Sequence, residues 1–331
     1  LDEANLTLVA LTAKGEARVP LHPKGRPERY LRLVQELLCG HALGSPGGYP
    51  VYLTRWTRHG QMESENLGKL LLIAEPEAVV AVVHSPQLTD ELAEYAWWAM
   101  PTIENARLML RREAVARGRM GRVLADFLVE HLPFLQDDHA AILDTVAVLL
   151  SSGTLDAEQR AAIWRRGRRT NTYYVPFLQL VPQDLPEADA RPRQQPAADR
   201  LARLAGQGNA AAGSLLWAFS AQGQAFLAAA AEVLDRPETQ EVVNRLFNAL
   251  GAAFRPAGYA ADAPLPGLEA ARQACPDLAA EWAAIEALAR VSEAQLTPIF
   301  ARSSAIGSLM RRKIAPLVDP LQAHIRTLRG Q

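Results

Sequence analysis

The sequence predicts a mainly α protein of HEAT-like or irregular helical pairs, with a small α/β element at its N-terminus. Three observations carry this. From Glu65 to about Pro182, and again from Asp199 to Leu328, apolar residues recur at three- and four-residue intervals. Proline or glycine interrupts the first of these stretches at Pro76, Pro86, Pro101, Gly118, Pro133, Gly153 and Gly167. The segments between the breaks are similar in size but not in sequence, so no fixed repeat period emerges, and an ordinary helical bundle remains the alternative. Strand-like alternation falls in the opening part of the chain.

Taken in order, Leu6 to Leu11 alternates and is followed, past Lys14-Gly15, by Arg18-Val19-Pro20-Leu21, which reads as two short strands around a turn. Pro27 to Leu38 places Tyr30, Leu31, Val34, Leu37 and Leu38 on a helical face behind a favourable first-turn proline, and Gly40 marks the expected stop. Tyr49 to Trp56 alternates again and is a candidate third strand. Three later faces are Leu88, Leu92, Tyr95, Ala96 and Ala99; Val123, Leu124, Phe127, Leu128 and Leu132; and Ile142, Val146, Leu149 and Leu150. The stretch Gln183 to Ala198 is polar, carries Pro186, Pro192 and Pro196, and reads as a linker or an ordered loop. Beyond it the chain is alanine-rich, which favours closely packed helices, with a second break from Arg255 to Gly267. Ser292-Glu293-Ala294-Gln295 has the form of a capping box. The organisation expected is therefore 1–62 as an α/β element, 63–186 as a lobe of helical pairs, 187–198 as a linker and 199–331 as an alanine-rich helical lobe.

Composition bounds the function. The 331 residues suffice for one large or two ordinary domains, and 49% apolar residues supply a substantial core. Net charge is −1, from 35 basic and 36 acidic residues, which argues against a protein built mainly to coat nucleic acid or an anionic membrane. The two cysteines, Cys39 and Cys275, form no C-x-x-C and are too few for a disulfide scaffold, as in a reducing compartment. No apolar run is long enough to cross a bilayer, and the first residues, Leu-Asp-Glu-Ala-Asn, have neither the basic nor the apolar region of a signal peptide. The expected location is cytoplasmic.

The richest local signal is Cys39 to Trp56, with four glycines between Gly40 and Gly48 followed by clustered aromatics. Neither the Gly-Lys-Ser/Thr of a phosphate loop nor G-x-G-x-x-G is present, so a structural turn or partner-binding loop is expected there. On the candidate strand, Tyr49 and Arg55 share one face, while Tyr52, Trp56 and Arg58 share the other. Aromatics and arginine are the usual anchors of an interface, so these five are the candidate binding residues. Cys39, close to a helix end whose dipole raises a thiol pKa, is a weak candidate nucleophile unless His41 meets it. Adjacent Trp97 and Trp98 point about 100° apart on a helix, so at most one enters a one-sided core. Arginines cluster at Arg165 to Arg169, at Arg111 to Arg122 and at Arg311-Arg312-Lys313. Brought together they would suit RNA, an acidic protein or an anion; dispersed among carboxylates they form a solvated surface. The seven histidines show no H-E-x-x-H, and the lone Cys39/His41 pair is the single one at zinc-ligand spacing; two ligands do not make a site, so no metal and no cofactor are expected. No G-x-S-x-G, kinase set or distinctive carboxylate pair is present, and Asp137-Asp138-His139 reads as a helix cap.

Gly44 to Gln61, together with Leu88-Thr89-Asp90-Glu91-Leu92-Ala93 and Trp97-Trp98-Ala99-Met100-Pro101, resembles the DsrS family. The likeness extends over much of the first half, to about Pro186. Members of that family are encoded with the dissimilatory sulfite reductase machinery of sulfur-oxidising bacteria. The resemblance implies a cytoplasmic sulfur-oxidation context and brings no catalytic residues with it. The expected function is a non-catalytic accessory or regulatory protein that contacts a protein partner of that machinery. The alternatives are a sulfane-sulfur carrier or enzyme using Cys39, and an RNA-binding regulator using the arginine clusters.

Overall fold

The computed structural model describes residues 1–12, 14–43, 64–73, 75–186, 192–193, 196–301 and 307–331. The described residues are mainly helical, with one small antiparallel sheet near the N-terminus. They divide into two compact units, Leu1–His131 with Ser152–Thr154, and Leu132–Ser151 with Leu155–Gln331.

In the first unit, β1 (Thr7–Thr12) pairs with β2 (Gly15–Pro20), in register from Thr7 opposite Pro20 to Thr12 opposite Gly15. Gly15 closes the turn at a φ of 102°, a conformation that costs glycine little. The candidate third strand from Tyr49 lies outside the described residues. Helix α1 spans Pro27–Leu43, so it passes the stop expected at Gly40. Burial explains the extension: Leu31, Cys39 and Ala42 lie on one face and are buried, so ending the helix at Leu38 would forfeit that packing.

The rest of the unit is α2 (Ser64–Leu71), α3 (Pro76–His84), α4 (Asp90–Ala99), α5 (Ile103–Leu110), α6 (Glu113–Ala116) and α7 (Arg119–His131). Helix α3 packs on α2, α4 and α5, and α7 packs on α4, α5 and α6. Thr89 and Thr102 cap α4 and α5, accepting hydrogen bonds from the Leu92 and Asn105 amides. Asp90 accepts from the amides of Arg119 and Met120, both at 3.0 Å, placing a carboxylate at the positive start of α7. Leu70, Val82, Ala93, Met109, Leu124 and Leu128 form the core. Tyr95 and Val123, grouped by sequence with the core faces of α4 and α7, are instead exposed. Each precedes a fully buried residue, Ala96 or Leu124, by one position, which turns it about 100° away from the core.

The second unit holds α8 (His139–Ser152), α9 (Ala157–Arg166), α10 (Tyr174–Leu180), α11 (Ala198–Gly206), α12 (Ala210–Phe219), α13 (Ala221–Asp235), α14 (Gln240–Phe254), α15 (Leu268–Ala274), α16 (Ala279–Ala289), α17 (Thr297–Phe300) and α18 (Gly307–Arg329). Helix α12 is central, packing against α11, α13, α15, α16 and α18. Its Ala211, Ala212 and Ala218 are inaccessible, and these small side chains allow the close approach that the alanine-rich sequence implies. Trp217 meets Phe226 and Phe254 edge-on at 5.2 and 5.5 Å. Buried Trp282 donates its indole N–H to the Cys275 carbonyl at 2.9 Å. At Gly251 the backbone of α14 runs against the Val291 carbonyl, and a β-carbon there would collide with it.

Helices α10 and α14, on opposite sides of the 187–198 segment in sequence, pack against each other in this unit. Within that segment, Arg193 is firmly held. Its amide donates to the Phe219 carbonyl, its guanidinium donates to the Thr327 and Leu328 carbonyls, and it pairs with Glu281 at 2.9 Å while lying over the Phe219 ring. It thereby adds a charged donor to two carbonyls at the end of α18, which also accept from the Gly330 amide and from Gln224.

Two capping expectations resolve differently. Asp138 caps α8, accepting from the Ala141 amide. Ser292 makes no side-chain cap; a 3₁₀ turn, Glu293–Gln295, follows it. Pro298 lacks the N–H that an α-helix would direct to the Ala294 carbonyl, so α17 starts only at Thr297. The formed capping box is Asp156 with Gln159, at the head of α9.

Candidate functional site

The sequence-derived binding residues Tyr49, Tyr52, Arg55, Trp56 and Arg58, with the glycine loop before them, lie outside the described residues. Cys39 and His41 are described, and the structure separates them. Residues two apart on a continuous helix do not face each other, and here Cys39 is buried while His41 is exposed. The neighbour Cys39 does feel is Glu75. Burial first, and then that carboxylate, raise the Cys39 thiol above its ordinary pKa. Glu75 is itself shifted upward, by burial and then by Glu77. A buried thiol with a raised pKa has little thiolate at neutral pH.

Trp97 packs edge-on against Phe127 at 4.7 Å, and Trp98 is partly exposed with its indole N–H directed to Glu16 at 3.4 Å. The pair therefore divides as the helical angle requires.

The arginine groups fare unequally. In the second group, Arg117 pairs with Glu113, Arg119 with Glu94 and Arg122 with Asp126, while Arg112 donates to the His84 carbonyl. In the first, Trp164 is buried against Tyr174 and Phe177, and Arg168 lies close enough to Glu232 and Tyr174 to lower both of their pKa values in part. Burial nonetheless dominates for both. Glu232 is shifted upward and Tyr174 is pushed up to about 12.

This corner of the second unit concentrates polar side chains without assembling a reactive centre. Asn171 donates to the Arg236 carbonyl at 2.9 Å and to that of Glu232 at 3.4 Å, capping the end of α13. His139 Nδ1 shares a hydrogen bond with Thr172 Oγ1 at 2.9 Å, and Tyr173 donates to the Leu132 carbonyl. Most of these bonds end on backbone, and Tyr174 holds its proton too tightly to serve as a base at neutral pH. The cluster fastens helix ends together.

The third arginine group leads to a different feature. A groove of about 510 Å³ opens between the end of α13 and one side of α18. Its floor is Leu234, Ile314, Ala315 and Val318, and its edges carry Ser308, Arg311, Arg312, Asp319, Gln322, Arg326 and Asp235. Gln322 donates to the Ala231 carbonyl at 3.3 Å and ties the two helices together. Arg311, Ala315, Asp319, Gln322 and Arg326 follow a three- or four-residue step along α18, and so share one side of it. Arg311, Arg312 and Arg326 make no ion pair with any described residue, in contrast to the second arginine group. The sequence pointed to Arg311 and Arg312 but not to Arg326, Asp319 or Asp235. The helical step along α18 carries the first two of those three, whereas Asp235 comes from another helix.

Among the described residues no group of three His, Cys, Asp or Glu side chains could hold a metal ion, and no helix is long and apolar enough to cross a membrane. In comparisons with known proteins, the chain matches no family model, no curated protein and no solved structure.

Proposed function

We propose that the protein is an accessory or regulatory protein of cytoplasmic sulfur oxidation that works by contacting another protein. The context rests on the likeness of Gly44 to Gln61 and of Glu75 to Pro101 to the DsrS family. The mode of action is supported chiefly by the groove beside α18, a recessed surface with an apolar floor and three arginines left without ion-pair partners among the described residues. Such a surface suits recognition, since arginine and apolar contact together anchor interfaces. The burial of Cys39 and its raised thiol pKa argue against the sulfane-sulfur carrier.

The test is affinity capture with the full chain from a sulfur-oxidising cell extract, with the intact mass of the bait measured afterwards. A stoichiometric protein partner and an unmodified Cys39 are expected. Tyr52→Ala with Trp56→Ala should weaken that capture if the aromatic segment contributes to the surface. A bait without a protein partner that carries reductant-labile sulfur on Cys39 would replace this reading with the carrier.

A further inference from the structure

We propose that the groove between α13 and α18 binds an extended, acidic peptide segment of the protein partner. This deepens the protein-contact reading above and rests on it for the occupant's class, while the site itself rests on the geometry of the second unit.

The charge distribution selects the ligand. Arg311 and Arg312 stand at one end of the groove and Arg326 at the other, separated by fifteen residues of helix, or roughly 22 Å. All three are exposed, and each offers a planar fork of donors that matches a carboxylate in bidentate fashion. An extended chain advances about 3.3 Å per residue, so roughly seven residues bridge the two ends. Between them the floor is aliphatic, made by Ile314 and Val318 of α18 with Leu234 of α13. That strip suits apolar side chains alternating with acidic ones.

The same lining disfavours a nucleic acid. Asp319 and Asp235 stand among the arginines, so a backbone that is charged at every nucleotide would set phosphates beside them, whereas a peptide can place uncharged residues there. Among the described residues no aromatic side chain lines the groove, so bases would find no stacking platform on them. For a peptide, by contrast, Asp319 and Gln322 are acceptors placed mid-groove for backbone N–H groups.

The test uses the full chain and a ten-residue fluorescein-labelled peptide of alternating Glu and Leu, read by fluorescence anisotropy. Saturable binding is expected, weakening several-fold as salt rises from low to physiological concentration. Arg311→Glu with Arg312→Glu should weaken binding at least about tenfold, and Arg326→Glu should act in the same direction. Lysine at both 311 and 312 should recover part of the loss, since it restores charge without the fork. Arg29→Glu, at an exposed arginine on α1, matches the charge change of Arg326→Glu outside the groove and should leave binding unchanged. A peptide with Lys in place of Glu should not bind. The proposal is overturned if the acidic probe does not bind the wild-type chain. It is equally overturned if the groove variants bind it as the wild type does, or if a twelve-nucleotide oligouridine binds more tightly. If the cellular partner is captured while the probe fails, the groove assignment falls and the accessory reading stands. If the probe binds through the groove but no partner is captured, the accessory reading falls instead.

Discussion

Replacing Arg193 with alanine should destabilise the second unit by about 3–4 kcal/mol, the usual consequence of removing one member of a largely buried ion pair. The size follows from what the side chain leaves behind. Glu281 pairs with it at 2.9 Å, and the two side chains are only 20% and 11% exposed, so the carboxylate would remain desolvated and alone. The Thr327 and Leu328 carbonyls would lose their charged donor at the end of α18. Each such bond is ordinarily worth about 1.5–3 kcal/mol, but they share one guanidinium and cannot be summed. For a unit of this size the loss corresponds to roughly 10 °C in Tm. Urea and thermal unfolding, followed through the fluorescence of buried Trp282 and its neighbours, measure it. A cycle with Glu281→Gln isolates the pair, and a coupling of about 1.5 kcal/mol or more is expected. A single-variant loss below 1 kcal/mol, or additivity within about 0.5 kcal/mol, would refute the reasoning.

Further predictions concern packing and titration. Gly251→Ala should cost about 1–3 kcal/mol, because the Val291 carbonyl occupies the space a methyl group needs, whereas Gly213→Ala in α12, which has open space, should be neutral or gain about 0.5–1 kcal/mol from helix propensity. Chemical denaturation of the two variants gives opposite shifts if this is right. Cys39 should react with a disulfide reagent at least about tenfold more slowly than a free thiol at neutral pH, and rapidly once urea exposes it. Peptide mapping of the labelled protein would show this, and fast native labelling would contradict its burial. Tyr174, with a pKa near 12 when folded against an ordinary value of 10, binds its proton more tightly in the native state. Its contribution to stability is therefore complete below pH 10 and is lost as pH rises from 10 through about 12. Tyr174→Phe should remove a late-ionising component from the ultraviolet titration and flatten that alkaline loss.

The helices were readable from sequence because burial on a helix repeats with its turn, and Leu124, Leu128 and Leu132 leave that record plainly. Where two apolar residues are adjacent, as Val123 and Leu124 are, periodicity alone does not say which turns inward. The stop expected at Gly40 fails for a related reason. A local signal is outweighed by the burial of Cys39 and Ala42, which depends on partners distant in sequence. The Ser292 capping box satisfies the motif, but the proline six residues later changes the turn it opens. Arg193 was invisible, since a single arginine in a proline-rich polar segment has no period, and its partners come from Phe219, Glu281 and the last turn of the chain. The groove was half visible. One wall is a helical stripe, but the other comes from Leu234 and Asp235, more than seventy residues away from Ser308.

The division of the chain bears on how it is made. The polypeptide leaves the first unit at His131, supplies that unit again with Ser152–Thr154, and then remains in the second. During synthesis Leu132–Ser151 thus emerges before nearly all of the unit to which it belongs. Nascent Leu132–Ser151 must wait for helices still to be translated, and in that interval Ile142, Leu143, Val146 and Leu149, all buried in the finished unit, have nothing to pack against.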